Sequence, residues 1–141
     1  MKLFSSIGGL FKGLFQMFGL FKKNAKIIFV GLDDAGKTTL MSVLKYGTVS
    51  PFDPTIHPHA QNLEIGNLKV QSVDLGGHKT MRKVWRDFLI KVDAIVYVVD
   101  AANSKRFDES REEFQNVLGA FTDPNQPKPP VLILGNKVDK V

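Results

Sequence analysis

The chain has 141 residues, no cysteine, 43% apolar residues and a formal net charge of +5. That length corresponds to one domain and that apolar share to a globular chain; the absence of cysteine excludes a disulfide scaffold or a thiolate metal site and fits a reducing compartment. The charge excess is confined to one end: Lys2, Lys12, Lys22, Lys23 and Lys26 precede the first acidic residue, Asp33, and beyond them basic residues balance the 14 acidic ones. A basic, apolar arm beside a neutral domain points to an anionic membrane surface and not to nucleic acid.

Residues 1–23 form that arm, ahead of a domain spanning 24–141. Apolar residues recur at helical spacing (Leu3, Phe4, Ile7, Leu10, Phe11, Leu14, Phe15, Met17, Phe18, Phe21), with Ser5, Ser6, Gly9, Lys12, Gly13 and Gln16 between most of them. Gly8, Gly9, Gly13 and Gly19 each weaken a helix by about 1 kcal/mol relative to alanine. The arm should therefore be poorly helical in water and fold against a surface. Polar interruptions argue against a membrane span. The lack of an unbroken apolar core and of a small-residue cleavage site argues against a signal peptide, and the lack of arginine against a mitochondrial presequence. Packing on the domain's own core stays open. Lys2 stands where N-myristoylation requires glycine, so the side chains must do the anchoring. Half-sinking the apolar set gives on the order of 10 kcal/mol gross. Ordering the arm takes back much of it, so binding should be interfacial and reversible.

A strand is expected over 25–31, because Ile27-Ile28-Phe29-Val30 is an unbroken apolar run suited to burial on both faces. Gly31-Leu32-Asp33-Asp34-Ala35-Gly36-Lys37-Thr38 follows directly and precedes a helix over 37–46. This strand, glycine-rich turn and helix form a P-loop. Glycines let phosphate oxygens approach the backbone, whose amides and helix N-terminus supply donors. Lys37 is placed for the β and γ phosphates and the Thr38 hydroxyl for Mg²⁺.

Strands over 62–65 and 68–74, joined at Gly66-Asn67, read as a hairpin. It ends in Asp74-Leu75-Gly76-Gly77-His78, where an acid at a strand end can hold Mg²⁺ through water and a glycine amide can turn toward a γ-phosphate. A helix over 79–91, a strand over 94–100 and a helix over 104–121 follow. The proline-rich stretch 122–130 is a connector, and a strand over 131–136 leads into Asn136-Lys137-Val138-Asp139. The Asp139 carboxylate can accept from guanine N1–H and its 2-amino group, donors that adenine lacks, while Asn136 would address the other edge of the base. The whole reads as an α/β domain: parallel strands alternating with helices, plus one antiparallel edge strand from the hairpin. His57 and His59 lie in a polar loop and are assigned no chemistry.

The P-loop, Asp-x-Gly-Gly and Asn-Lys-x-Asp motifs in this order resemble the small GTPases, and Gly31-Leu32-Asp33-x-Ala35-Gly36-Lys37-Thr38-Thr39 resembles their Arf and Sar group. Pro54-Thr55-Ile56-His57-Pro58, His78 where most members carry glutamine, Trp85 and the long aromatic arm are similar to the Sar type. The resemblance implies GTP and GDP as ligands with Mg²⁺ as cofactor. It implies nucleotide contacts from Asp33, Asp34, Ala35, Gly36, Lys37, Thr38, Thr39, Gly77, Asn136, Lys137 and Asp139, and Mg²⁺ ligation by Thr38, Thr55 and, through water, Asp74. His78 would orient the attacking water, and turnover would be slow without an arginine-donating activator. The partners implied are the endoplasmic reticulum membrane through residues 3–23, an exchange factor, and the inner subunits of the COPII coat including the activator. The location implied is the cytoplasm, reversibly on the cytosolic face of that membrane and of vesicles bound for the Golgi. An Arf-like role on another membrane, or a nucleotide-free membrane-binding module, remains as an alternative. The family pattern continues past Asp139 through a helix, a strand and a C-terminal helix, so the chain is expected to be a fragment lacking the last strand and the C-terminal helix, with 131–134 as an exposed sheet edge.

Overall fold

Among the described residues five strands form one sheet in the order β2-β3-β1-β4-β5. They are β1 (Ala25–Leu32), β2 (Ala60–Ile65), β3 (Leu68–Leu75), β4 (Ala94–Asp100) and β5 (Val131–Asn136), with helices α1 (Lys37–Tyr46) and α2 (Phe107–Gly119) between them. This computed structural model describes residues 25–46, 60–65, 68–75, 89 and 92–140. The arm, Thr55, His57, His59, the Gly66-Asn67 turn, Gly77, His78 and Trp85 lie outside the described residues. So does the helix expected over 79–91, except Leu89, which is helical and buried.

β1 runs parallel to β3 and β4, and β4 runs parallel to β5. β2 is the antiparallel edge, pairing Ile65 with Leu68 at the hairpin end and Ala60 with Val73 at the other. The apolar run of β1 is divided between two cores. Ile27 and Phe29 pack with Val70, Val96, Val98 and α1's Met41 on one face. Ile28 and Val30 pack with Val73, Ile95, Tyr97 and α2's Val117 on the other. Alternate residues of one strand thus serve opposite layers, as strands covered on both faces require. β5 is an edge of the described sheet, and its Ile133 is 58% exposed.

The helix expected over 104–121 proves to be two pieces. Ser104–Arg106 is a 3-10 turn, and the α-helix runs only over Phe107–Gly119. The chain leaving β4 turns through short bonds, Asn103 N–H to Asp100 O and Arg106 N–H to Asn103 O, both 3.2 Å. These tight i→i+3 bonds set the turn before the wider helix begins. At the other end the Ala120 amide bonds the Val117 carbonyl at 3.2 Å, closing the helix early. The strands are slightly longer than expected: β1 gains Leu32, β3 gains Leu75, and β2 begins at Ala60 because pairing with β3 extends to Val73. α2 is pinned to the sheet by Tyr97, whose hydroxyl donates to the Ser110 carbonyl at 2.7 Å. The Tyr97 ring meets Phe114 edge-on, 4.9 Å between centroids. Among the described residues no helix is long and apolar enough to cross a membrane.

Candidate functional site

The loop between β1 and α1 is shaped by three unusual constraints. A methyl at Gly31 would run into the Val98 carbonyl of β4, so glycine there is required by strand packing as well as by any ligand. Asp34 has φ 62° and Gly36 has φ 94°. The first is uncommon for a residue with a side chain and needs support from outside. A methyl at Gly36 would also overlap Asn136 Nδ2.

That support comes from a row of side-chain donors aimed at consecutive loop carbonyls. Lys37 Nζ donates to the carbonyls of Gly31 at 3.0 Å and Leu32 at 2.6 Å, with the residue only 2% exposed. Arg106 Nη1 donates to Asp33 O at 3.2 Å. Lys137 Nζ donates to Asp34 O. Asn136 Nδ2 donates to Ala35 O at 2.9 Å. All described peptides are trans, and a trans peptide points its N–H opposite its C=O. The amides of Asp34 and Gly36 therefore point away from Arg106 and Asn136, while the Ala35 amide donates to Leu32 O at 3.3 Å and closes the turn. Backbone amides at the N-terminus of a helix suit an anion.

Asp33, Asp100 and Arg106 carry shifted acidities. The Arg106 hydrogen bond at 2.8 Å holds the Asp33 carboxyl below its ordinary value. Glu109 first, then Asp33, raise the Arg106 guanidinium further above its already high value. Desolvation pushes the Asp100 carboxyl up, but hydrogen bonds from Lys137 Nζ at 3.2 Å and the Ala102 amide at 3.0 Å leave it net lowered. These groups are ionised at neutral pH, and the cations that serve the loop are partly neutralised by them.

Asp33, Asp34, Ala35 and Gly36 form the loop, while Lys37, Thr38 and Thr39 open α1. Thr38 is half-buried and Thr39 exposed. Asp74 lies one residue before the end of β3, level with Gly31 in the β1–β3 register, so the fold brings it to the loop's base. Asn136 ends β5, and Lys137 (φ 62°) leads into the 3-10 turn Val138–Lys140, which carries Asp139 exposed. Asn136 and Lys137, expected near the base, act as struts beneath the loop, bonding Ala35 O and Asp34 O. Thr55, Gly77 and His78 lie outside the described residues.

Sequence reasoning missed Arg106, Glu109 and Asp100. Asp100 ends the strand next to β1, and Arg106 and Glu109 are three apart at a helix start. Strand order would have exposed the first and i, i+3 pairing the second.

The donor set suits Mg²⁺. A threonine hydroxyl at the first turn of α1 and an aspartate at a neighbouring strand end are hard oxygen ligands. Among the described residues no group of three or more His, Cys, Asp or Glu side chains could cage a metal alone. A cation that keeps waters and takes its remaining ligands from phosphate fits such a site better than one needing an all-protein cage.

Comparison with known proteins agrees with this geometry. The ADP-ribosylation factor (Arf) family model matches residues 11–141. The Small COPII coat GTPase SAR1 of Giardia intestinalis is 42% identical over 132 residues, covering 94% of this chain and 68% of that protein. The protein of the same name from Nicotiana tabacum is 45% identical over 112 residues, 79% of this chain and 57% of that one. The crystal structure of an Encephalitozoon cuniculi ADP-ribosylation factor-like GTP-binding protein/Small COPII coat GTPase SAR1, in complex with GDP, superimposes with a TM-score of 0.69 at 40% identity. It covers 96% of this chain and 59% of that one. The chain thus spans between 57% and 68% of the length of these relatives. A P-loop braced by an Asn-Lys-x-Asp segment on a mostly parallel sheet, matched at these identities, has one family reading: the chain belongs to the ADP-ribosylation factor (Arf) family of small GTPases.

Proposed function

We propose that this chain is the guanine-nucleotide-binding part of a GTP-hydrolysing switch of the Sar type. In this reading it places its N-terminal arm in the endoplasmic reticulum membrane and recruits the COPII coat for transport toward the Golgi. The observation that carries the reading is the Asn136 Nδ2 bond to Ala35 O at 2.9 Å. It joins the guanine-type segment to the phosphate-type loop across a separation of 101 residues. The resemblance to SAR1 proteins at 42% and 45% identity supports the finer assignment.

The amides of residues 33–39 and the Lys37 ammonium would hold the phosphates, and Asp139, with Asn136 and Lys137, the guanine side. Thr38, Thr55 and Asp74 would hold Mg²⁺, which would supply charge neutralisation to the phosphates. Gly77 would sense the γ-phosphate. His78 would position the water that attacks γ-phosphorus, with GDP as the leaving group. Placement and charge stabilisation are the main requirements of phosphoryl transfer, so a positioned histidine suffices. An exchange factor would load GTP, and a coat subunit would supply the activating arginine.

Flotation with liposomes containing anionic lipid tests the switch. The chain should float with a non-hydrolysable GTP analogue and stay largely behind with GDP, and deleting residues 1–23 should abolish flotation in both states. Equal flotation with both nucleotides would contradict a switch and favour a constitutive membrane-binding module.

A further inference from the structure

Arg106 lies outside the three nucleotide motifs, yet its guanidinium makes four hydrogen bonds. Nε and Nη2 bond the two Glu109 oxygens at 2.9 and 3.2 Å. Nη1 and Nη2 bond Asp33 O and Asp33 Oδ1 at 3.2 and 2.8 Å. We infer that Arg106, oriented by Glu109, is a positioning residue for the phosphate loop, setting how tightly the loop retains a nucleoside diphosphate. The inference rests on the nucleotide-binding reading above and extends it to a residue outside the three nucleotide motifs.

An isolated ion pair with its arginine 31% and its aspartate 65% exposed would be weak. Three features set this one apart. Glu109 fixes the guanidinium plane from the first turn of α2, so the fork offered to Asp33 is pre-oriented. The fork takes both the backbone carbonyl and the carboxylate of Asp33, which restrains the Asp33–Asp34 peptide plane as well as the side chain. The next residue, Asp34, sits at φ 62°, and its own carbonyl is held by Lys137. A left-handed residue that glycine does not occupy is thus clamped on both sides, by Arg106 before it and Lys137 after it. Loss of the first clamp frees the peptide that presents the Asp34 amide to a phosphate. Because Tyr97 and Phe114 pin α2 to the sheet, the clamp also links the position of α2 to the loop.

The test uses the full chain and its Arg106→Ala, Arg106→Lys and Glu109→Ala variants. Release of a fluorescent GDP analogue into excess GDP is timed, and amide hydrogen exchange across residues 33–36 is measured in the same proteins without nucleotide. Arg106→Ala should release GDP about tenfold faster and exchange faster across the loop. Glu109→Ala should show a smaller change of about threefold. Arg106→Lys should fall between Arg106→Ala and the parent, since it keeps the charge but loses the fork. A melting point lowered in Arg106→Ala, with release within about twofold of the parent and loop exchange unchanged, would overturn the inference and leave a surface staple. If the parent chain binds no guanine nucleotide, the reading of function fails, and loop exchange alone decides: faster exchange in Arg106→Ala sustains the positioning role, and unchanged exchange removes it.

Discussion

Substituting Gly36 by alanine probes the junction between the phosphate loop and the segment after β5. Gly36 has φ 94°, and an added methyl would overlap Asn136 Nδ2. The backbone strain costs about 1–3 kcal/mol. Relieving the overlap must displace Asn136 from Ala35 O, a 2.9 Å bond to the carbonyl of a residue 1% exposed. Leaving that acceptor short costs a further 1–3 kcal/mol or so. The total of about 2–6 kcal/mol is a large share of the stability of a typical domain. The two costs separate in a double-mutant cycle. Asn136→Ala alone should lose only the strut, and adding it to Gly36→Ala should cost almost nothing more, because the strut is already gone. Urea unfolding followed by far-UV circular dichroism, at constant m-value, measures all four corners. Coupling of about 1–3 kcal/mol is expected. Additivity within about 0.5 kcal/mol would refute the claim that the methyl acts through Asn136.

The remaining expectations concern charge, the α2 anchor and the hairpin. Asp33 has a folded pKa below its ordinary value, through Arg106. Its contribution to stability is therefore present above the unfolded pKa of about 4 and lost as pH falls through the folded one. Asp33→Asn should flatten that part of the melting-temperature profile between neutral pH and about pH 2, and an unchanged slope would contradict the assignment. Burial raises the Tyr97 phenol, so ultraviolet titration of the folded chain should show one tyrosine ionising later than in the unfolded chain. Tyr97→Phe, which removes the 2.7 Å donor to Ser110 O, should destabilise by about 1–2 kcal/mol. The β2–β3 hairpin now pairs Ala25 with Leu68 and Gly31 with Asp74. If GTP binding slides it along β1, the shift must be by an even number of residues, since an odd one would turn Val70 and Val73 to the wrong layers. Cross-strand backbone contacts in the GDP and GTP-analogue states would detect an odd shift.

Much of the fold was legible in the sequence because its signals are local. The β1 run is apolar at every position and so demanded cover on both faces, and each motif sits at a strand end, where the backbone must turn. The antiparallel edge followed from a short hairpin connection. What stayed hidden depends on contacts between distant segments. Asp33 and Arg106 are 73 positions apart, and Lys137 and Asp100 are 37 apart. No local pattern marks either pair. Asn136 read as a base-recognition residue because its motif suggests that role, while its use as a strut under Ala35 appears only once β5 stands beside β4. The expected helix over 104–121 overran at both ends for a related reason. Helical periodicity reports the buried face of Ser110, Glu113 and Val117, but it is blind to the tight bonds through which the chain leaves β4.

Calorimetric titration of GDP and of ADP into the chain, each with Mg²⁺, tests the central claim most directly. Asn136, bonded to the loop at Ala35 O, and Asp139 three residues further on predict that GDP binds and that ADP is disfavoured by at least about a hundredfold, because a site built for the guanine donors leaves its own polar groups unpaired against adenine. Equal binding of the two, or binding of neither, would contradict it.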